Sequence, residues 1–135
     1  MTGAEAYDYV LGRIVATVVD GRSKEDRLWH YQFDPGAQPD LDRCFTLVPV
    51  EHPRETLETG CNRKRLVLDL SVSYRTYEGW VQRMLRDGDE LIDTIWTLML
   101  DPGIVDVQEQ LSTITTVESY AIYTRLFQVD YYDTP

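Results

Sequence analysis

The spacing of apolar residues alternates along this chain between the helical period and the strand period. Between residues 4 and 19, apolar side chains recur three and four positions apart, which predicts an amphipathic helix. Thr2 followed by Glu5 has the form of a capping box, and Gly21 is a natural C-terminal stop. The helical period returns between residues 78 and 100 and predicts a second, longer helix.

The second predicted helix has one broad apolar stripe and one charged side. Its stripe consists of Val81, Met84, Leu85, Gly88, Leu91, Ile92, Ile95 and Leu98. The charged residues expected on the opposite side are Arg86, Asp87, Asp89, Glu90 and Asp93. A glycine inside a helix costs about 1 kcal/mol relative to alanine, so Gly88 predicts a kink or close packing against a sheet. The Asp-Pro-Gly sequence at residues 101–103 ends the helix.

Between the two helices, the pattern predicts strands separated by polar segments. Residues 28–33 have strand composition and form either a short edge strand or an extended arm that docks its aromatic side chains. Residues 43–50 predict a strand with Phe45 and Leu47 on one face. Residues 52–62 are a polar loop, and residues 64–74 alternate strictly between apolar and mixed positions, as a half-buried strand does.

A hairpin follows the second helix. Residues 105–117 are β-branched and rich in threonine, Glu118 and Ser119 form a turn, and residues 120–130 are the returning strand. On that strand Tyr123, Phe127, Val129 and Tyr131 lie on one side. The strands before and after the long helix could run parallel, joined by a right-handed crossover.

This order of elements predicts one α+β domain spanning residues 1–135. We expect a two-layer sandwich, in which a mixed or antiparallel sheet of four to five strands carries two helices on one face.

The net charge of the chain bears on which kinds of partner it can bind. The chain has 23 acidic and 13 basic residues and a net charge of -10, so it repels nucleic acid backbones and anionic lipid. Its one short basic run, residues 63–65, indicates a solvated strand entrance. No apolar run reaches the length of a membrane span. Specific DNA binding and membrane association are therefore not expected.

The two cysteines and the first residues of the chain bear on the compartment. Cys44 and Cys61 are the only cysteines, and the N-terminal residues lack the basic segment and the apolar core of a secretory signal. We therefore expect folding in a reducing cytoplasm, with both thiols free.

Residue types that can carry chemistry are present without the spacing that chemistry needs. Cys44, His52 and Cys61 are of zinc-ligand type, but no Cys-x-x-Cys pair exists. A Cys61–His52 nucleophile pair would lie in a long loop, with no helix start after the cysteine to lower its pKa. No glycine-rich phosphate loop occurs. The sequence therefore predicts no catalytic residue, no metal and no cofactor.

Aromatic residues are abundant, with nine tyrosines and three tryptophans. Such side chains fill thin cores, but they are also favoured where protein chains meet, and the sequence leaves both uses open. The residues that we expect in an interaction surface are Trp29, Tyr31, Phe33, Arg54, Arg63, Lys64, Tyr131 and Tyr132.

Taken together, these elements resemble the tail terminator proteins of long-tailed bacteriophages and the related tail-completion and neck proteins. The resemblance is carried by the N-terminal helix and by the strand Arg-Cys-Phe-Thr-Leu-Val-Pro at residues 43–49. A variable loop follows, then the alternating strand that ends in Tyr74 and Arg75, the long helix and the C-terminal hairpin. It covers nearly the whole chain.

The resemblance implies a structural virion protein without catalytic residues. It implies a homo-oligomeric ring, commonly a hexamer, that caps the tail tube and joins it to the head-side connector, with DNA passing by without specific binding. Its location would be the tail-neck region of the virion, and the host cytoplasm during assembly. The alternatives are another neck or head-completion protein, a small ligand-binding or enzymatic α+β domain, or a general interaction adaptor.

Overall fold

The computed structural model describes residues 1–17, 28–30, 42–55 and 62–133, apart from the side chains of Trp29, Arg54 and Glu55. Helix α1 spans Gly3–Val15, and the predicted capping box is confirmed. The Glu5 backbone N–H donates to the Thr2 hydroxyl at 3.2 Å, and the Thr2 backbone N–H donates to the Glu5 carboxylate at 3.0 Å. The helix ends at Val15, with Ala16 as its C-cap, before the predicted end at residue 19; five of the six residues from Ile14 to Val19 are β-branched, which lowers helix propensity. The expected stop at Gly21 lies outside the described residues.

The architecture is α+β, as predicted. The strands are β1 (Trp29–His30), β2 (Cys44–Pro49), β3 (Arg54–Glu55), β4 (Arg63–Arg75), β5 (Ile104–Val117) and β6 (Tyr120–Tyr132). They form one sheet in the order β1-β2-β4-β6-β5, with β3 also paired to β4. The pairs β2–β4, β4–β6 and β6–β5 are antiparallel, whereas β1 runs parallel to β2.

Two segments differ from the sequence prediction. The strand expected over residues 28–33 is seen as Trp29–His30, and residues 31–33 lie outside the described part. The segment expected to be a loop from residue 52 contains β3, whose two residues pair with Arg65 and Lys64. Pairing gives these backbone groups hydrogen-bond partners and adds a short outer strand to β4.

Helix α2 spans Trp80–Thr97 and continues as a 3-10 turn at Leu98–Leu100. Its apolar stripe is narrower than predicted, since Val81 is 40% exposed and Leu85 is 57% exposed. The prediction of a solvated Asp87 was wrong, because this carboxylate is fully buried. Gly88 packs closely on the sheet as expected: a methyl group at its Cα would lie 3.4 Å from the Tyr123 hydroxyl.

Strands β4 and β5 run in the same direction, as the sequence suggested, but they are not neighbours. Strand β6 lies between them and is antiparallel to both. The hairpin turn at residues 118–119 therefore returns the chain to the middle of the sheet. Strand β5 is left at the outer end of the strand order.

One hydrophobic core contains residues of both helices and of the sheet. Strand β4 contributes alternate residues from Leu66 to Tyr74, and their register partners on β6 include Phe127 and Val129. Helix α1 contributes Ala6, Val10 and Ile14, and helix α2 contributes Met84, Leu91 and Ile95. No helix in the described part of the chain is long and apolar enough to cross a membrane.

Candidate interaction surface

Five of the eight predicted surface residues come together at one end of the sheet. Arg63 is the register partner of Tyr132, and Lys64 is the register partner of Tyr131. Arg54 reaches the same end through the pairing of its backbone with Arg65.

Trp29 does not join this group. Trp29 pairs with Cys44, whose partner Ser73 lies near the opposite end of β4. The predicted Tyr31 and Phe33 lie outside the described residues.

The exposure of the two tyrosines at this end differs. Tyr132 is 43% exposed and is available to a partner. Tyr131 is 1% exposed and belongs to the core, so its place in the predicted surface was wrong. The physical reason is the strand period of two, which puts Tyr131 on the same buried side as Phe127 and Val129.

The basic side chains at this end already have carboxylate partners. Arg63 and Arg65 donate from their Nε atoms to Asp130, at 3.0 and 2.9 Å, and Lys64 pairs with Asp133 at 2.7 Å. Burial alone would raise the pKa of Asp130, but the hydrogen bonds from Arg65 and Arg63 outweigh it and hold that pKa below its usual range. These bases therefore stabilise the sheet end and do not form an open phosphate site.

A groove of about 600 Å³ lies at this same end, between α1 and the sheet. Its apolar wall includes Tyr7, Pro49, Pro53, Leu66 and Tyr131. Its polar residues are Asp8, Glu51, His52 and Lys64.

The groove lacks the partners that nucleophilic catalysis needs. The Tyr7 hydroxyl donates to the Leu47 carbonyl at 2.6 Å, and burial raises the pKa of Tyr7, so this phenol stays protonated at neutral pH. Among the described lining residues, no serine, threonine or cysteine accompanies His52. Cys61, whose sequence context does not favour a nucleophile, lies outside the described residues. Likewise, no three His, Cys, Asp or Glu side chains in the described ranges are grouped to hold a metal ion.

A buried polar cluster joins α2 to the sheet and has no route to a ligand. The Tyr74 hydroxyl donates to Asp87 at 2.9 Å, and the Arg43 Nε donates to the same carboxylate oxygen at 3.2 Å. Burial, and then the neighbouring Asp87 carboxylate, raise the pKa of Tyr74 far above its ordinary value. Tyr74 and Asp87 are both fully buried, so the cluster is a structural tie.

The outer half of the β5–β6 hairpin is an exposed apolar feature. Every residue of β5 from 108 to 117 is exposed. Leu111, Ile114 and Val117 are 56%, 52% and 51% exposed. Leu111 and Val117 lie on one face of the strand and Ile114 on the other, so no helix in the described part of the chain covers either face of this segment.

From Leu111 to Val117, the outer edge of this strand lacks the features that normally block edge pairing. Residues 110–117, Gln-Leu-Ser-Thr-Ile-Thr-Thr-Val, contain no charge, no proline and no glycine. Natural edge strands are usually protected by charges, prolines or bulges. Here a register shift between Glu109 and Leu111 bulges the strand at residue 110, and beyond it the ladder is regular from Leu111 to Val117.

Hydrogen bonds and an ion pair anchor both ends of the outer half of the hairpin. At the turn, the backbone N–H and the hydroxyl of Thr76 both donate to the Ser119 carbonyl, at 3.0 and 3.1 Å. Near the start of the outer half, the buried Arg125 pairs with Glu109 and also donates to the Tyr123 hydroxyl. The exposed strand therefore presents a fixed edge.

Sequence reasoning did not select this surface. Leu111, Ile114 and Val117 recur every third residue, and this spacing matches neither one helix face nor one strand face. The available signal was the run of eight uncharged residues with high β-propensity between Gln110 and Val117. The chain gives no match to known protein-family models, and none to curated proteins.

Proposed function

We propose that this chain is a structural assembly protein of a bacteriophage or prophage tail, of the tail-terminator kind. It forms a ring that caps the tail tube and joins the tube to the head-side connector. Its place is the neck of the virion, after assembly in the host cytoplasm. The observation that carries this proposal is the fixed, uncharged edge of β5, with three large apolar side chains exposed.

Such an edge favours pairing with another chain. Its outward N–H and C=O groups are a template for a further strand, and exposed apolar patches mark contact sites. An enzyme needs convergent reactive groups in a cleft, and the described part of the groove offers His52 without a nucleophile beside it. The described surface is therefore better suited to binding another protein chain than to catalysis.

A ring also needs two different surfaces on each subunit, because head-to-tail contacts are what close a cycle. The hairpin turn lies beside the Arg75 end of β4, since Arg75 pairs with Tyr120. The groove and Tyr132 lie at the Arg63 end of the same strand. The molecule therefore carries two unlike surfaces at opposite ends of a 13-residue strand.

Charge supports a role beside DNA that does not include binding it. The net charge is -10, and Arg63, Arg65 and Lys64 are engaged by carboxylates. Phosphate binding requires accessible Lys and Arg, so DNA can move past this surface without being held.

The test is light scattering of the chain alone and with the tail tube protein of the same phage. We expect the mass to rise to that of a ring when tubes or tube protein are added. A monomer that ignores the tube protein at high concentration would refute the proposal.

The groove favours a second candidate function, binding of a small ligand. Its volume of about 600 Å³ is within the range of ligand sites, and Asp8 and Glu51 give it an acidic rim suited to a cation. A thermal-shift screen with small organic cations tests this function. A rise in melting temperature that disappears in Asp8→Asn supports it, because ligands that bind only the folded state stabilise it.

A further inference from the structure

We infer that the free subunit pairs with a second copy of itself, β5 edge to β5 edge, antiparallel, about a two-fold axis that passes beside Ile114. The occupant of the exposed edge in the absence of a tail is thus the identical edge of another chain. The two sheets become one continuous sheet across the contact.

The length of the regular segment of β5 determines where the two-fold axis lies. The bulge at residue 110 interrupts the ladder on one side and the turn at Glu118 ends it on the other. Seven residues remain between them, from Leu111 to Val117, and Ile114 is the middle one. A two-fold axis through the middle pairs the whole regular segment with its copy, whereas any displaced register leaves part of it unpaired.

The side chains match in this centred register. Leu111 of each copy lies opposite Val117 of the other, and these two pairs are on the face that the helices leave open. Ile114 lies opposite the second copy's Ile114 on the other face. The remaining cross-strand pairs join threonines and serine, which form favourable pairs in antiparallel sheets.

Charge favours the same register. Glu118 lies opposite the second copy's Gln110, and Glu109 lies beyond the last apolar pair, so no acidic residue faces another. Moving the axis by one residue toward the turn pairs Glu118 with Ser112 and Val117 with Thr113. Moving it by one residue toward the bulge places Glu109 opposite Val117. Only the centred register combines three apolar contacts with no buried carboxylate.

The pair and the proposed ring use the same edge in different ways. A two-fold contact makes both copies equivalent and closes the assembly at two, whereas a ring requires head-to-tail contacts. This step rests on the proposed function: the dimer is then the form of the chain before tail assembly. It covers the β5 edge until the subunit enters the ring and makes head-to-tail contacts. The pair itself does not depend on that function and is tested without any tail component.

The first experiment is sedimentation equilibrium of the isolated chain. We expect dimers at tens of micromolar, and at least about a tenfold weaker dimer for Ile114→Lys, which places two lysines opposite each other. Val50→Lys is the matched control, since Val50 is 57% exposed but lies away from β5. An unchanged melting temperature for both variants at low concentration, where the wild type is monomeric, shows that each is folded. A wild-type chain that stays monomeric at hundreds of micromolar overturns the inference.

The second experiment fixes the register by disulfide formation in a background with Cys44→Ala and Cys61→Ser. Ile114→Cys should link to its own copy under mild oxidation, because directly opposite Cβ atoms are about 5 Å apart. Leu111→Cys and Val117→Cys should each stay unlinked alone, being about 20 Å from their own copies, and should link when mixed.

Self-linking of Thr113→Cys or Thr115→Cys in preference to Ile114→Cys would contradict the register. A ladder of oligomers in place of a dimer would contradict the two-fold symmetry. Failure of these tests does not affect the proposed tail function, because that function is tested separately by the binding of the chain to tail tubes. Conversely, a dimer that ignores tail tubes supports the pair and refutes the ring.

Discussion

The hydroxyl of Tyr74 donates a hydrogen bond to the carboxylate of Asp87 at 2.9 Å, and both side chains are fully buried. This contact ties the end of β4 to the middle of α2. Arg43 completes it from the opposite side, although its backbone has a φ of 58°, a conformation that costs a non-glycine residue about 1 kcal/mol or more. The backbone N–H of Arg43 donates to Ser73 at 2.7 Å and holds that conformation.

Removing this carboxylate should destabilise the protein strongly. Asp87→Ala leaves the Tyr74 hydroxyl and the Arg43 guanidinium without their acceptor, and we expect the free energy of unfolding to fall by about 3 kcal/mol. Asp89→Ala, at an exposed position of the same helix, should change it by less than about 0.5 kcal/mol. Urea denaturation measures both. Equal effects of the two variants would show that the buried cluster contributes nothing.

The ion pairs of Asp130 predict an acid-sensitive stability. The pKa of Asp130 is lowered in the folded state, so its contribution is fully present above the pKa of an unfolded aspartate, about 4, and is lost as the pH falls further. Asp130→Asn should therefore be less stable than the wild type at pH 7, and the difference should shrink toward pH 3. Urea midpoints at both pH values check this. A difference that stays constant with pH would contradict the assignment.

Two glycines at α2 should respond to alanine with opposite signs. At Gly88 the new methyl group meets Tyr123 at an ordinary contact distance of 3.4 Å, so the higher helix propensity should stabilise the protein by about 0.5–1 kcal/mol. Gly79 precedes the helix with a φ of 83°, so Gly79→Ala should cost about 1 kcal/mol through backbone strain. Thermal unfolding gives both signs. Destabilisation by Gly88→Ala would mean that the helix and sheet are closer than described.

The two halves of β5 should differ in their sensitivity to a hydroxyl group. Val107 is 1% exposed, and Val107→Thr buries a hydroxyl in the core at a cost of about 1–3 kcal/mol. Ile114→Thr, in the exposed half, should change the free energy of unfolding of the monomer by less than about 0.5 kcal/mol. Denaturation at low protein concentration makes the comparison. A large loss for Ile114→Thr would show that the hairpin edge is covered within the subunit.

Local rules predicted most of the elements. The Thr2–Glu5 capping box, the strict alternation that ends at Tyr74 and the hairpin turn at Glu118 each depend on neighbouring residues. Two features of the sheet could not be predicted from neighbouring residues. The place of β6 between β4 and β5 depends on pairing between distant strands, and β3 forms only because β4 offers it a partner.

The interaction surface was harder to predict than the fold. The burial of Asp87 had a signal, since it lies three residues after Met84 and four before Leu91, on the core side of the helix. Because Asp87 is an acidic residue, it was assigned to the solvent-exposed side of the helix despite this spacing. The exposure of Ile114 had no comparable signal, because a β-branched residue in a strand is usually buried and only the length of the hairpin beyond the core leaves it exposed.

The most direct test of the proposed tail role is electron microscopy of tail tubes from the phage or prophage proposed as its source, assembled with and without this chain. The account predicts one added ring of density at the end of the tube that receives the head, and tubes of uniform length when the chain is present. Tubes that bind no added density at saturating concentrations of the chain would contradict it.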